Sequence, residues 1–548
     1  MLGLMQEQQL LTPMLLQHAE RHHHDTELVT VRVEGDIHRY TYKDLARRSR
    51  QVANAVTSAG LEESDRVASI AWNTYRHMEL YYGVSGAGFV LHTINPRMHP
   101  EQIAWVINHA EDKIVCFDLT FLPIVQAIKG ACPTVEQWVL LADDDQLPSD
   151  SGIDNLQGYE AWINHASDKY VWPEFDENKA ACLCYTSGTT GDPKGVLYSH
   201  RSIVLHAYAG ALPDSIGLST NDVVLPVVPM FHVNAWGLPF SACLVGCKLV
   251  FPGPNMDGKS LYELMEAENV NYAAGVPTIW QMLLEYVRSN QLKFNSLKRT
   301  VVGGAALPLS MQLAFRDEFD VECIHAWGMT ETSPLGSVAR LKAKHAGLSE
   351  EEKYVFLNKQ GRAVCGVDYK IVDDEGNELP WDGKAYGELW IRGPWIASAY
   401  FRRDDKILET DADGIQWFPT GDVCTIDEDG YMLITDRSKD VIKSGGEWIS
   451  SIALENIAMA HPAVAMAACI GVEHPKWDER PIVAVVLRPE ATATREDILA
   501  SFDDKISKWQ VPDDVVFVDE IPLGATGKMQ KRKLREDLHD YVLPEFRA

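Results

Sequence analysis

From about residue 27 to residue 330, apolar β-branched runs alternate with longer amphipathic segments. A chain with that rhythm has few solutions other than strands and crossover helices layered into an α/β sheet. RVASIAW (66–72), residues 114–117 and RTVVG (299–303) read as strands, and residues 42–59 and 260–269 as helices. Between about 365 and 435 the rhythm shortens. YKIVDDEGNELP carries an Asp-Glu-Gly-Asn turn and GELWIRGP follows it, the hairpin signals of an all-β, barrel-like subdomain. After about 440 a small α+β unit follows, in which AMAACIGV and PIVAVVLRP read as paired strands, with Thr494 and Asp497 as a capping box. The expected fold is therefore α/β. A large N-terminal domain (1–438) holds the α/β sheets and the β subdomain (365–435), and a small α+β C-terminal domain (439–548) follows, divided from it at the charged DRSKD segment (436–440).

Length and charge narrow the function. A chain of 548 residues exceeds a single compact core. Fifty Lys and Arg against 78 Asp and Glu give a net charge of −28, a field that repels phosphate backbones and disfavours nucleic acid as a partner. Ten cysteines with no CxxC pair fit a reduced, cytoplasmic compartment rather than a disulfide scaffold. The first 25 residues lack a basic segment and are interrupted by Pro13, so they read as a leading helix, not a signal peptide. Residues 223–247 carry no charge, but Pro226, Pro229, Pro239, His232 and Asn234 argue against a membrane span. A buried strand, a turn and a buried helix are expected there.

The segment YTSGTTGDPKG (185–195) follows the apolar run ACLC and precedes LYSHRSIVLHAYAG, which reads as helical. Gly188 and Gly191 let backbone N–H groups approach an anion, Thr186, Ser187, Thr189 and Thr190 add hydroxyl donors, and Lys194 adds charge. The plain alternative is a solvated turn, which this density of donors disfavours. The spacing is not that of GxxxxGK[ST], so the cradle is not a P-loop.

This segment resembles the signature loop of the acyl-adenylate-forming superfamily, which includes acyl-CoA synthetases, adenylation domains and firefly-type luciferases. Six more segments match that family in order: PMFHVNAWG (229–237), VGGAALP (302–308), HAWGMTET (325–332), FPTGDV (418–423), ITDRSKDVIKSGGEWIS (434–450) and PLGATGKMQK (522–531). Within the family the wording is most similar to bacterial CoA ligases of medium-chain fatty acids and of 3-methylmercaptopropionate.

The resemblance implies ATP, Mg²⁺ and coenzyme A as reactants and cofactor, and a small carboxylate as substrate. It places Glu331 on Mg²⁺ and Thr330 on the α-phosphate, with Gly303, Ala305, His325, Ala326, Trp327 and Gly328 around the nucleotide. A single carboxylate suits Mg²⁺, which takes its remaining ligands from phosphates and water. The sequence leaves His325 open between a pocket wall and a buried core histidine. Asp422 would accept both ribose hydroxyls, beside Arg437. His232, Asn234 and Trp236 would wall the acyl pocket opposite Gly303 and Gly304, with His232 at the thiol passage and the Trp236 indole shortening the tunnel to short or medium acids.

Lys528 would be the catalytic lysine, and Lys531, Arg532, Lys533 and Arg535 after it read as a solvated helix face. Lys439 would be the pivot of a mobile C-terminal domain. Lys443, Ser444, Gly445, Gly446, Glu447 and Trp448 would line the CoA channel, although Trp448 stands where the family usually has Asn. Three rivals share parts of this pattern: a luciferase-type monooxygenase, an enzyme loading a carrier protein, and a sensor without turnover. A homodimer stays open.

Overall fold

The computed structural model describes residues 1, 3–186, 192–437, 440–444, 447–503 (447 and 448 by backbone alone), 505–524, 529–539 and 541–544. Among the described residues the strands form four sheets. A seven-stranded sheet runs Leu156–Gly158, Gln137–Leu140, Ile114–Phe117, Arg66–Ile70, Val90–Thr93, Ala180–Tyr185 and Gly195–Ser199. A nine-stranded sheet takes Val223–Pro226, Tyr272–Gly275, Arg299–Val302 and Glu322–Gly328 in parallel through its centre. Five strands of residues 368–437 make the β subdomain, and five more, from Ile442–Ser444 to Asp514–Phe517, make the C-terminal sheet.

The central strands are mostly apolar and buried because both of their faces are covered, with Arg299 and Glu322 at strand starts and Thr300 and His325 as buried polar exceptions. Helix Tyr75–Gly86 is buried along its whole length between the two large sheets, and Leu238–Val245 and His200–Ala211 share its core. Helix Tyr42–Ser58 opens on the capping box of Thr41 and Asp44, a device worth about 1 kcal/mol. The capping box expected at Thr494 and Asp497 is also present, and the strands of AMAACIGV and PIVAVVLRP pair antiparallel.

Three expectations need correction. The leading helix is confined to Pro13–His22, with Pro13 in its first turn. The residues just before it dock instead, Leu10 N donating to Glu177 and Thr12 N to His200 Nδ1 at 2.9 and 3.2 Å. The phosphate-cradle segment does not lead from strand to helix: it joins two antiparallel strands, with Tyr185 opposite Gly195, and the helix starts only at His200. Finally, Lys531 does not lie on a solvated face. It is half-buried, paired with Glu455 at 2.8 Å and bonded to Ser451, which ties helix Lys531–Asp537 into the C-terminal domain. A buried carboxylate such as Glu455 draws in a cation that a sequence scan assigns to solvent.

The topology places the site. The motif segments 185–195, 229–237, 302–308 and 325–332 each leave the carboxyl end of a strand, and ligands of open α/β sheets bind outside those ends. No helix among the described residues is long and apolar enough to cross a membrane, and 223–247 forms a strand, a short turn and a buried helix.

Candidate active site

At the base of the cradle, Thr186 N donates to the Lys194 carbonyl at 2.8 Å, and Lys194 N donates to Thr186 Oγ1 at 3.4 Å. Ser187, Gly188, Thr189, Thr190 and Gly191 lie outside the described residues. The Lys194 ammonium sits over the Tyr400 ring, 4.8 Å from its centroid.

Strand Glu322–Gly328 ends in the short turn Thr330–Thr332, which buries Thr330 and Glu331. Tyr198 Oη donates to the Thr330 carbonyl at 2.7 Å, and Ala397 N donates to the Glu331 carbonyl at 2.8 Å. Glu331 Oε1 accepts from Tyr400 Oη at 2.7 Å. Among the described residues no cation lies within ion-pair distance of this carboxylate, and no three His, Cys, Asp or Glu side chains are grouped to hold a metal alone. A buried carboxylate without a cationic partner is costly and suits a site that receives Mg²⁺ together with the phosphates of its ligand.

Across the site, Asp422 is 1% exposed and opposes Arg437 in antiparallel strands. Its Oδ1 meets Arg437 Nε at 2.6 Å, and its Oδ2 accepts from Trp327 Nε1 at 3.0 Å. An ionised carboxylate keeps further lone pairs for hydroxyl donors. The indole of Trp327 packs on Gly336, where a Cβ would fall 2.4 Å from the ring, and joins the core of the β subdomain. His325 proves to be the buried histidine: Nδ1 lies 2.9 Å from the Asn358 carbonyl, and burial pulls its pKa down to about 4, so the ring is neutral. Ala305 is exposed at the strand end, and Gly304 takes φ +79° beside it.

On the acyl side, Val233, Asn234, Ala235 and Trp236 all have positive φ, between 40° and 58°. Left-handed backbone costs non-glycine residues about 1–2 kcal/mol each, so packing must hold this turn in place. Ala235 is fully buried, and the Asn234 amide oxygen is taken by Tyr81 Oη at 3.3 Å and Cys184 Sγ at 3.6 Å. Asn234 therefore anchors the turn, with its side chain in the core. The strained turn presents Trp236 to Gly303, where a Cβ would stand 3.3 Å from the indole and 2.8 Å from the Ala326 carbonyl. The Ala326 carbonyl rather than the indole is what excludes a Cβ there. His232 opens the same turn, half-buried, with its N–H on the Pro229 carbonyl at 3.1 Å.

In the C-terminal domain Lys443 and Ser444 sit in a hairpin opposite Trp448 and Glu447. Gly445, Gly446, Lys439 and Lys528, and the side chains of Glu447 and Trp448, lie outside the described residues. Lys443 is exposed, and Ser444 Oγ accepts from Arg480 at 3.2 Å. Ser444 lines a cleft of about 1070 Å³ with His474, Lys476, Trp477, Arg480 and Trp509. Tyr400 thus links Glu331 to Lys194, and Trp327 and Arg437 meet on Asp422. Tyr198, Tyr400 and the cleft tryptophans escape the motif reading because they stand outside the matched segments.

Comparison with known proteins identifies the family and the fold. Residues 15–401 match the family described as AMP-binding enzyme, and residues 453–528 match the AMP-binding enzyme C-terminal domain. The 3-methylmercaptopropionyl-CoA ligase of Ruegeria lacuscaerulensis is 51% identical over 542 residues, 98% of this chain and 99% of that one. The medium-chain-fatty-acid–CoA ligase of Ectopseudomonas oleovorans is also 51% identical, covering 99% of this chain and 98% of its own. Among solved structures, ATP-bound MatB from Rhodopseudomonas palustris superposes with a TM-score of 0.80 at 25% identity, covering 96% of this chain and 99% of its own. An anthranilate CoA ligase in complex with anthranoyl-AMP reaches 0.84 over 96% of this chain and 98% of its own; at 24% identity it shows the shared fold. The chain belongs to the AMP-binding enzyme family, within the acyl-adenylate-forming superfamily.

Proposed function

We propose that this chain is an AMP-forming carboxylate–CoA ligase acting on short or medium acids, 3-methylmercaptopropionate among them. The supporting observation is the buried carboxylate of Glu331, which has no cation within ion-pair distance among the described residues and shares Tyr400 with the Lys194 end of the cradle. In the first half-reaction a carboxylate oxygen attacks the α-phosphorus of ATP and pyrophosphate leaves. Lys194, Thr330 and Lys528 supply fixed donors and charge where negative charge builds. Glu331 would hold Mg²⁺, which when bound neutralises phosphate charge. Asp422 and Arg437 orient the ribose. In the second half-reaction the thiol of coenzyme A attacks the acyl carbon and AMP leaves.

Two features support the choice of substrates. The indole of Trp236, pressed toward Gly303, shortens the acyl side of the site, and two relatives at 51% identity are named for a short thioether acid and for medium-chain acids. The cleft beside Ser444 pairs two half-exposed indoles, Trp477 and Trp509, with Lys476, a chemistry that suits the adenine and phosphates of coenzyme A, while Arg480 is held by Asp513.

A panel of carboxylic acids, assayed for AMP release with and without CoA, tests this reading. Steady turnover is expected only with CoA, and highest on short and medium acids. Trp236→Ala should shift that profile toward longer acids by about tenfold, the worth of one or two methylenes in an apolar pocket. Turnover that needs a carrier protein or oxygen in place of CoA would assign the chain to one of the rival activities, and an unmoved profile would place the indole outside the acyl tunnel.

A further inference from the structure

We propose that Tyr400 is a positioning residue of the adenylation site, setting the Glu331 carboxylate and the Lys194 ammonium against each other. Tyr400 stands in none of the matched motif segments; it lies in the connection between strands Gly387–Arg392 and Glu409–Thr410 of the β subdomain. That connection is fastened to both halves of the site. Ser333 Oγ donates to the Trp395 carbonyl at 2.7 Å, Ala397 N donates to the Glu331 carbonyl at 2.8 Å, and Phe401 N donates to the Gly195 carbonyl at 2.8 Å. Between these anchors the buried Tyr400 turns its hydroxyl to Glu331 Oε1 at 2.7 Å and its ring face to Lys194 Nζ at 4.8 Å.

Each contact leaves its partner chemically free. The phenol stays protonated at neutral pH and acts as a donor to one carboxylate oxygen, so it fixes the rotation of the Glu331 carboxylate while Oε2 keeps its lone pairs. The ring attracts the ammonium without neutralising it, and among the described residues no carboxylate lies within ion-pair distance of Lys194. A carboxylate in that place would compete with phosphate for the lysine. A ring does not. Groups that orient a metal-binding side chain in this way change metal affinity by about 10–100-fold when removed.

The inference rests on the reading of Glu331 as the Mg²⁺-holding residue. ATP binding to the full-length protein, measured by calorimetry in excess Mg²⁺ and in EDTA, tests both. Tyr400→Phe keeps the ring and removes one oxygen. It should lower ATP affinity in Mg²⁺ by about tenfold or more and leave affinity in EDTA unchanged. Tyr400→Leu, which also removes the ring, should lower both. Tyr400→His, which keeps a ring and an N–H donor, should recover part of the Mg²⁺ effect. Parental Mg²⁺-dependent affinity in Tyr400→Phe, or equal losses with and without metal, would overturn the proposal. Glu331→Gln separates the two readings. If it abolishes the Mg²⁺ effect while Tyr400→Phe retains it, only the role of Tyr400 fails; if it leaves the Mg²⁺ effect intact, the role of Glu331 fails and takes this inference with it.

Discussion

Lys528→Ala is expected to slow adenylation by on the order of 10²–10³-fold, the usual cost of one preorganised contact to developing charge. CoA attack on a supplied acyl-adenylate should proceed almost unchanged. An ammonium is a compact charge that can bridge the attacking carboxylate and the α-phosphate, where charge accumulates only in the first half-reaction. The described residues on either side of Lys528 are held together: Leu523 bridges Met529, and Gln530 N donates to the Pro522 carbonyl at 2.8 Å. Immediately after them Lys531 pairs with Glu455 at 2.8 Å, within the C-terminal domain. Stopped-flow pyrophosphate release reads the first half-reaction, and thioester formation from synthetic acyl-adenylate reads the second. Normal adenylation in the variant, or equal loss of both, would remove Lys528 from this role.

The second large effect is expected at Lys439. Proline there fixes φ near −65° and deletes an N–H, so rotation about this residue is blocked. If the C-terminal domain must turn to bring the CoA segment to the acyl-adenylate, Lys439→Pro should slow thioester formation by on the order of a hundredfold, the cost of displacing a reacting group by about 1 Å. Adenylation should fall far less. Asp440 pairs with Arg535 at 2.8 Å inside the C-terminal unit, whereas Asp436, before the pivot, accepts from Ser451 N at 2.8 Å and from its hydroxyl, contacts that rotation about Lys439 would have to break. The same two assays decide the matter, and parallel loss of both half-reactions would place the pivot elsewhere.

Much of this was legible in the residues. The strand rhythm before residue 330, the hairpins of the β subdomain and the paired strands of the C-terminal unit follow from periodicities of two and of about three and a half. The ordered motifs name the family by their wording and order, and four of them leave the carboxyl ends of strands. What the sequence hides are contacts between distant segments. Tyr400 meets Glu331 across 69 positions, and the Trp327 N–H meets Asp422 across 95. Neither pairing leaves a local pattern. The left-handed turn at 233–236 is likewise invisible, since Val, Asn, Ala and Trp give no warning of positive φ. The cradle was misjudged at its far end because Gly195–Ser199 is five residues long, too short for alternation to separate a strand from the start of the helix behind it.

The central claim is that the carboxylate itself attacks the α-phosphorus and that the acyl–oxygen bond then breaks. Isotope transfer tests this most directly. Acid labelled with ¹⁸O in its carboxyl group, turned over with ATP, Mg²⁺ and CoA, should yield AMP carrying one ¹⁸O atom from the carboxylate, with unlabelled pyrophosphate. Label recovered in orthophosphate beside ADP, with none in AMP, would show attack at the γ-phosphorus and contradict the account.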